Sequence, residues 1–181
     1  MSPGVFDGAL GTKPTASERR TATEVGSVSI LQGGPPCQGH SDLNNHTRRK
    51  DPKNALYLTM ARAAEVLNPE IVIVENVAPV QRDQSGVVEA ATAALKRADY
   101  SVAGRVLNLW SVGVPQRRRR FVLLASRVPR VEPVAIFDSV AKNWGDDSDR
   151  MWTQVTEYRG GRAVRDIKYN LAWIAKYRTR C

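Results

Sequence analysis

Residues 70–76 read EIVIVEN, four consecutive apolar residues closed on both sides by polar ones. Such a run is typical of a strand that is buried on both faces of a sheet. The preceding residues carry apolar side chains at helical spacing, which predicts a helix over residues 54–67 that Pro69 ends. Small and apolar positions predict a second helix after the strand, over residues 86–98.

Other patterns extend this arrangement in both directions. A capping box, with Thr15 as the cap and Glu18 three residues later, marks the start of one more helix. The further predicted elements are that helix, over residues 17–25, and strands over residues 27–34, 100–107 and 121–125. A turn at residues 112–115 would let the last two strands pair as a hairpin. Alternation of strands and helices predicts an open α/β sheet with helices on both faces, where ligands bind beyond the carboxyl ends of the strands.

The composition narrows the class of protein. The chain has 181 residues, enough for one domain with a core, and contains no apolar run of about 18 residues that could span a membrane. The amino terminus lacks the basic-then-apolar layout of a secretory signal, so we expect a cytoplasmic protein that does not enter membranes. Its two cysteines, Cys37 and Cys181, lack zinc-site spacing, so we expect a free thiol and no metal.

The charge favours a polyanionic partner. Twenty-seven basic and 18 acidic residues give a formal net charge of +9. The basic residues are concentrated in three stretches, at 48–50, 117–120 and 159–180. Nucleic acid is the first candidate partner, although basic runs alone are also explained by a solvated surface.

Cys37 lies in an unusual place. It follows the predicted strand 27–34 within PPCQG, residues 35–39, where prolines and a glycine force the backbone to turn. An isolated cysteine after a strand is most often a buried, inert thiol. The alternative is a nucleophile exposed at the carboxyl end of the strand, the edge at which Glu75 and Asn76 also fall.

Three segments taken together resemble the DNA (cytosine-5) methyltransferase family: GGPPCQGHS, IVIVENV and GVPQRRRRFVLLASR. Their residue types, order and spacing match across residues 27–127. The resemblance implies a Rossmann-like, S-adenosylmethionine-dependent methyltransferase sheet. It also implies S-adenosylmethionine as methyl donor, double-stranded DNA as partner, and a cytosine flipped out of the duplex, as in the modification enzymes of restriction systems.

The first two segments supply the expected chemistry. Cytosine C5 is a weak nucleophile until a group adds to C6, and a thiolate suits that reversible addition. Cys37 matches the family nucleophile. Attack at C6 moves electron density to N3, where a partly buried carboxyl group can deliver a proton, and Glu75 matches the family residue with that role. From IVIVEN alone, a solvent-facing Glu75 would be the more probable interpretation.

The third segment contains Gln116-x-Arg118-x-Arg120, in which alternate side chains of an extended strand share one side. The resemblance implies that Arg120 contacts the O2 edge of the cytosine and that Arg118 braces the active-site carboxyl group and a phosphate. It further implies cofactor contacts from Pro36 and Leu56. The polar loop with Arg48, Arg49 and Lys50 corresponds to a mobile family loop that closes over the flipped base.

Both ends depart from the family pattern. Residues 6–11, FDGALG, only superficially resemble the glycine-rich cofactor loop, and the residue that would hold the cofactor ribose has no candidate. We expect a partial catalytic domain over residues 1–127 and a poorly defined basic tail over residues 128–181. One interpretation of this tail is the start of a target-recognition region. Two alternatives stay open: a non-catalytic, nucleic-acid-binding remnant, and a cytosine-5 methyltransferase that acts on RNA.

Overall fold

The computed structural model describes residues 5–35, 56–83, 85–109 and 118–144. Four helices and four strands lie in these ranges: α1 (Ala16–Val25), β1 (Ile30–Gly33), α2 (Leu56–Leu67), β2 (Ile71–Val77), α3 (Val87–Arg97), β3 (Ser101–Asn108), β4 (Arg119–Ser126) and α4 (Pro133–Trp144). A short 3₁₀ helix, Ala78–Arg82, follows β2 directly.

The four strands form one mixed sheet in the order β1-β2-β4-β3. β1 and β2 are parallel, with Gly33 opposite Val74. β4 is antiparallel to both of its neighbours, and its Val122 lies opposite Glu75 of β2 on one side and Arg105 of β3 on the other. The predicted hairpin of β3 and β4 is therefore confirmed, while the turn proposed at residues 112–115 lies outside the described residues.

Helices cover both faces of this sheet, as the sequence predicts. One face packs against α2 and α3, and the side chains that it contributes to the core are Val72, Val74, Phe121, Leu123 and Ala125. Strand residues alternate between faces, so Leu124 and Arg105 point the other way. α4 covers that second face, where Phe137 is buried and lies against the Arg105 guanidinium.

The capping box of α1 is confirmed in both of its hydrogen bonds. The Glu18 amide donates to the Thr15 hydroxyl over 3.2 Å, and the Thr15 amide donates to the Glu18 carboxylate over 2.7 Å. These bonds satisfy two amides that a helix start would otherwise leave without partners. The strand of residues 70–76 is also confirmed, although only its alternate residues are fully buried.

α4 is an element that the sequence patterns did not reveal. Its first residue is Pro133, and a proline is favourable at the first helical position because its missing N–H removes no helical hydrogen bond there. β1 is shorter than the predicted strand of residues 27–34, since it spans only Ile30–Gly33. The division of the chain at residue 127 stays a prediction, and residues 145–181 lie outside the described ranges.

Two further findings concern the described ranges alone. None of their helices is both long enough and apolar enough to cross a membrane. No cluster of three or more histidine, cysteine or acidic side chains suitable for a metal ion occurs among them.

Candidate active site

The ends of β1 and β2 meet at one edge of the sheet because the two strands are parallel. Gly34, the first residue after β1, lies beside Glu75. A Cβ atom on Gly34 would be 3.2 Å from Glu75 Oε2 and 3.7 Å from the Glu75 carbonyl oxygen. The glycine therefore leaves room for the carboxylate close to the backbone that leads towards Pro35, Pro36 and Cys37.

Glu75 forms an ion pair with Arg120 at this edge. Arg120 lies opposite Val77, two residues along β2 from Glu75, so both side chains project from the same face of the sheet. Arg120 Nε contacts Glu75 Oε1, and Arg120 Nη1 donates to the Arg119 carbonyl over 2.9 Å. The Arg120 side chain is 10% exposed and that of Glu75 is 45% exposed. A fixed guanidinium thus holds a carboxylate that a ligand can still reach.

The other predicted arginine continues the same strand pattern. The Arg118 carbonyl accepts a hydrogen bond of 2.9 Å from the Leu109 amide, which extends the β3–β4 hairpin by one step. Arg118 is half-buried, whereas Arg119 is exposed. The structure places Arg120 against the carboxylate, the contact that the resemblance assigns to Arg118. The role of Arg118 itself stays a prediction.

Asn76 links the two strand ends on the opposite face. It is 2% exposed. Its Nδ2 donates to the Pro35 carbonyl oxygen over 3.3 Å, and its Oδ1 accepts from the Val77 amide over 2.8 Å. Sequence reasoning placed Asn76 at this edge without giving it a role. The sequence signal was its position directly after Glu75. Neighbouring strand residues point to opposite faces, so a polar residue at this position lies on the packed face and needs hydrogen-bond partners there.

Several predicted site residues lie outside the described residues. Cys37 and Pro36 are among them, as is the basic loop at 48–50. Leu56 is described as the first residue of α2, and its side chain is 42% exposed. An exposed leucine at this point offers apolar contact surface, and the cofactor contact implied for it stays a prediction.

The stretch that superficially resembles a cofactor loop has another role. The Gly8 amide donates to Glu18 Oε1 over 3.0 Å, and the Gly11 amide donates to both carboxylate oxygens of Glu65 over 2.9 and 3.0 Å. These glycine amides are already satisfied by carboxylates of the protein. The geometry therefore supports the expectation that residues 6–11 are not a cofactor loop.

A buried ion pair behind this stretch was not predicted. Arg62 of α2 donates to Glu18 of α1 through Nε, over 2.8 Å, and through Nη2, over 2.7 Å. The two side chains are 2% and 0% exposed. Hydrogen bonds from Arg62 lower the pKa of Glu18 from its ordinary 4.5 to about 2. The available signal was Arg62 itself, a charged residue among the alanines on the apolar side of α2.

Comparisons with known proteins identify the family of the chain. Residues 13–179 match the family of C-5 cytosine-specific DNA methylases. The chain is 45% identical over 124 residues to the type II methyltransferase M1.BsuMI of Bacillus subtilis, covering 68% of this chain and 29% of that protein. It is 34% identical over 166 residues to the DNA (cytosine-5)-methyltransferase PliMCI of Paracentrotus lividus, covering 83% of this chain and 10% of that protein.

Among solved structures, the Entamoeba histolytica methyltransferase EhMeth superposes with a TM-score of 0.46 at 22% identity, over 57% of this chain and 34% of that chain. The present chain thus spans less than a third of the length of M1.BsuMI and a smaller share of PliMCI. The family match covers most of the chain and extends beyond the residues 27–127 that carry the motifs. The chain therefore belongs to the C-5 cytosine-specific DNA methylase family.

Proposed function

We propose that this chain carries the nucleophile and the base-binding residues of a DNA (cytosine-5-)-methyltransferase that acts on double-stranded DNA. The observation that carries the proposal is the Glu75–Arg120 ion pair, which lies beside the backbone that leads into Pro36 and Cys37. A remnant that had lost catalysis would not need to keep a half-exposed carboxylate on a buried guanidinium.

Chain connectivity supports the pairing of Cys37 with Glu75. Pro35 is held to the end of β2 through Asn76. Cys37 follows two residues later, so its Cα lies within about 7.6 Å of the Pro35 Cα in any trans backbone conformation. The thiol and the carboxylate are therefore constrained to one region, as a reaction on a single base requires.

The residues have complementary tasks in the proposed reaction. The Cys37 thiolate forms a bond to cytosine C6, and the electron pair of the C5–C6 double bond shifts to C4–C5. The electron pair released from C4–N3 takes a proton from Glu75, which acts in its acid form. Arg120 holds the Glu75 carboxyl group in place and contacts the base. After methylation at C5, a water molecule takes the C5 proton, and the freed electron pair re-forms the C5–C6 double bond as the C6–S bond breaks and the Cys37 thiolate leaves. N3 returns its proton to the Glu75 carboxylate.

S-adenosylmethionine supplies the methyl group when it is bound. Leu56 is the described residue that fits a contact with it, through an exposed apolar side chain. Pro36 remains a second proposed contact.

Mechanism-based trapping tests the function. In duplex DNA that contains 5-fluorocytosine, fluorine replaces the hydrogen that must leave C5, so the bond between enzyme and C6 persists. We expect peptide mapping of the complete gene product, incubated with this DNA and S-adenosylmethionine, to place the DNA on Cys37. The same reaction with RNA that contains 5-fluorocytosine tests the alternative substrate.

The control is Cys37→Ser, which should give no adduct, whereas Cys181→Ser should trap normally. An adduct that survives Cys37→Ser would assign the nucleophile to another residue. Absence of any adduct with the complete gene product would contradict the proposed function, and an adduct with RNA alone would reassign the substrate.

A further inference from the structure

Asn76 differs from its neighbour Glu75 in both direction and surroundings. Glu75 points to the face where Arg120 lies, and its carboxylate is half-exposed. Asn76 lies opposite Phe121 and points into the packed face, where it is 2% exposed. A base that reaches Glu75 therefore lies on the face of β2 opposite to Asn76. Asn76 does not contact the base, and any effect that it has on the site passes through the residues that it binds.

Both ends of the Asn76 amide are used. The Val77 amide needs an acceptor, so the oxygen Oδ1 faces it at 2.8 Å, and the amino group Nδ2 is left to donate to the Pro35 carbonyl at 3.3 Å. The first bond is to the next residue of the same chain and fixes the rotation of the side chain. The second bond then holds Pro35 at a defined place beside β2.

Pro35 lies where the chain leaves the sheet. β1 ends at Gly33, and Gly34 passes directly beside the Glu75 carboxylate. The exit of the chain from β1 is thus attached to β2 by the hydrogen bond at Pro35, one residue after the chain passes the Glu75 carboxylate. Whatever follows starts from a point that Asn76 fixes relative to Glu75.

We propose that Asn76 is a positioning residue, which holds the Pro35 carbonyl and thereby sets the path of the chain into Cys37 relative to Glu75. The proposal rests on the proposed function for the identity of the nucleophile. Any effect of Asn76 on Cys37 passes through the chain from Pro35, so the test of this role is the chemical behaviour of that thiol.

Asn76→Asp separates the two bonds. A carboxylate still accepts from the Val77 amide but has no hydrogen to donate to Pro35. The readout is the alkylation rate of Cys37 by iodoacetamide between pH 6 and 9, in the full 181-residue chain. Cys181 in the same chain is the internal reference. We expect the ratio of the Cys37 rate to the Cys181 rate to change by about fivefold, the rate equivalent of one hydrogen bond.

Ser126→Ala is the matched control. Ser126 is also 2% exposed, and its hydroxyl accepts from the Val128 amide over 3.2 Å at the far end of the sheet. This variant removes a buried hydrogen bond without touching Pro35, so the ratio should stay unchanged. Asn76→Ser repeats the test without introducing a charge.

Three results would overturn the proposal. The first is an unchanged ratio in folded Asn76→Asp and Asn76→Ser chains. The second is a ratio in the unaltered chain equal to that in urea, because Cys37 would then not be held at all. The third is failure of both variants to fold when Ser126→Ala folds, which would assign Asn76 to stability alone. Alkylation needs neither DNA nor cofactor, so these results are independent of whether the proposed function holds.

Discussion

At the scale of single residues, the two members of the Glu75–Arg120 ion pair differ in solvent exposure. The guanidinium is almost fully enclosed, and its position is fixed by the Arg119 carbonyl as well as by the carboxylate. The carboxylate is half-exposed and can exchange partners. A buried charge is costly without a counter-charge, so the pair keeps Arg120 in place until a base arrives.

Replacement of Glu75 by glutamine should slow methyl transfer in the complete gene product by about 10² to 10⁴. The amide can still hydrogen-bond the base but has no proton to give to N3, so DNA affinity should change little. Turnover with a methyl-labelled cofactor and a filter-binding titration measure the two quantities. Asp138→Asn is the control, because it removes an exposed carboxylate, paired with Arg105, on the same face of the sheet. Equal turnover in Glu75→Gln and wild type would remove Glu75 from the mechanism.

Two buried tyrosines give a contrast in stability. The Tyr57 hydroxyl is buried without a hydrogen-bond partner among the described residues, and burial raises the pKa of Tyr57 above its usual range. The Tyr100 hydroxyl donates to the Pro69 carbonyl. Tyr57→Phe should therefore leave the free energy of unfolding unchanged or raise it by about 1 kcal/mol, and Tyr100→Phe should lower it by about 1 kcal/mol. Urea unfolding measures both, and a larger loss in Tyr57→Phe would reveal a partner for its hydroxyl.

At the scale of elements, the Glu18–Arg62 pair joins α1 to α2 and holds the segment before α1. Arg62 also donates to the Thr12 carbonyl, and Glu18 also accepts from the Gly8 amide. The bonds from Arg62 to Glu18 and to Thr12 join segments that are 44 and 50 positions apart in sequence. Its contribution to folding is therefore the attachment of residues 5–14 and α1 to α2, which in turn packs against the sheet.

This pair predicts a specific loss of stability in acid. Glu18 has a folded-state pKa of about 2 against 4.5 for an ordinary glutamate. Because the folded-state value is the lower one, the stabilisation is complete above pH 4.5 and is lost as the pH falls towards 2. Glu18→Gln should lower the free energy of unfolding at pH 7 by about 3 kcal/mol, since it removes the more deeply buried of the two carboxylates that pair with Arg62 and leaves only Glu65, at 3.0 Å. It should also flatten the pH dependence between 4.5 and 2.

Urea unfolding at pH 7, 4.5 and 3 measures this effect. The matched control is Asp138→Asn, which breaks the exposed ion pair with Arg105 and should cost less than about 1 kcal/mol. The same pH dependence in Glu18→Gln and wild type would contradict the assignment to Glu18.

The elements also show what sequence patterns can and cannot reveal. The apolar run of β2 and the capping box of α1 depend on neighbouring residues, so local spacing was sufficient to predict them. The hidden features depend on distant residues. Glu18 and Arg62 are 44 positions apart, so no local spacing joins them, and the position of Arg62 among the alanines of α2 does not name its partner. Pro133 was ambiguous because a proline ends a helix in its interior but is favourable at its first position.

The active-site edge shows the same division. Alternation along β4 sets Arg119 and Arg120 on opposite sides, as predicted, and the side to which Arg118 points stays a prediction. It could not predict which guanidinium contacts Glu75, because that depends on the register between β2 and β4. In the observed register Val122 lies opposite Glu75 and Arg120 lies opposite Val77. Arg120 is therefore on the same face as Glu75 and close enough to contact its carboxylate.

At the scale of the whole molecule, the excess of basic residues predicts weak DNA binding by the 181-residue chain that depends strongly on salt. Each phosphate that a cation neutralises contributes a slope of about −0.9 in a plot of log affinity against log salt concentration. The net charge of +9 and the clustering at residues 48–50 and 117–120 provide several such contacts. Preference for particular DNA sequences should be slight, because phosphate contacts do not distinguish bases.

Single substitutions test which basic residues contact the phosphates. Arg48→Ala should reduce the steepness of the salt dependence by about one unit, because one phosphate contact is lost. Arg20→Ala removes the same charge from an exposed position on α1 and should leave the slope unchanged. Fluorescence anisotropy with a labelled duplex, titrated at several salt concentrations, measures both slopes. If the two variants lost equal amounts of slope, binding would follow net charge alone, and the basic loop after Cys37 would have no particular place in the DNA interface.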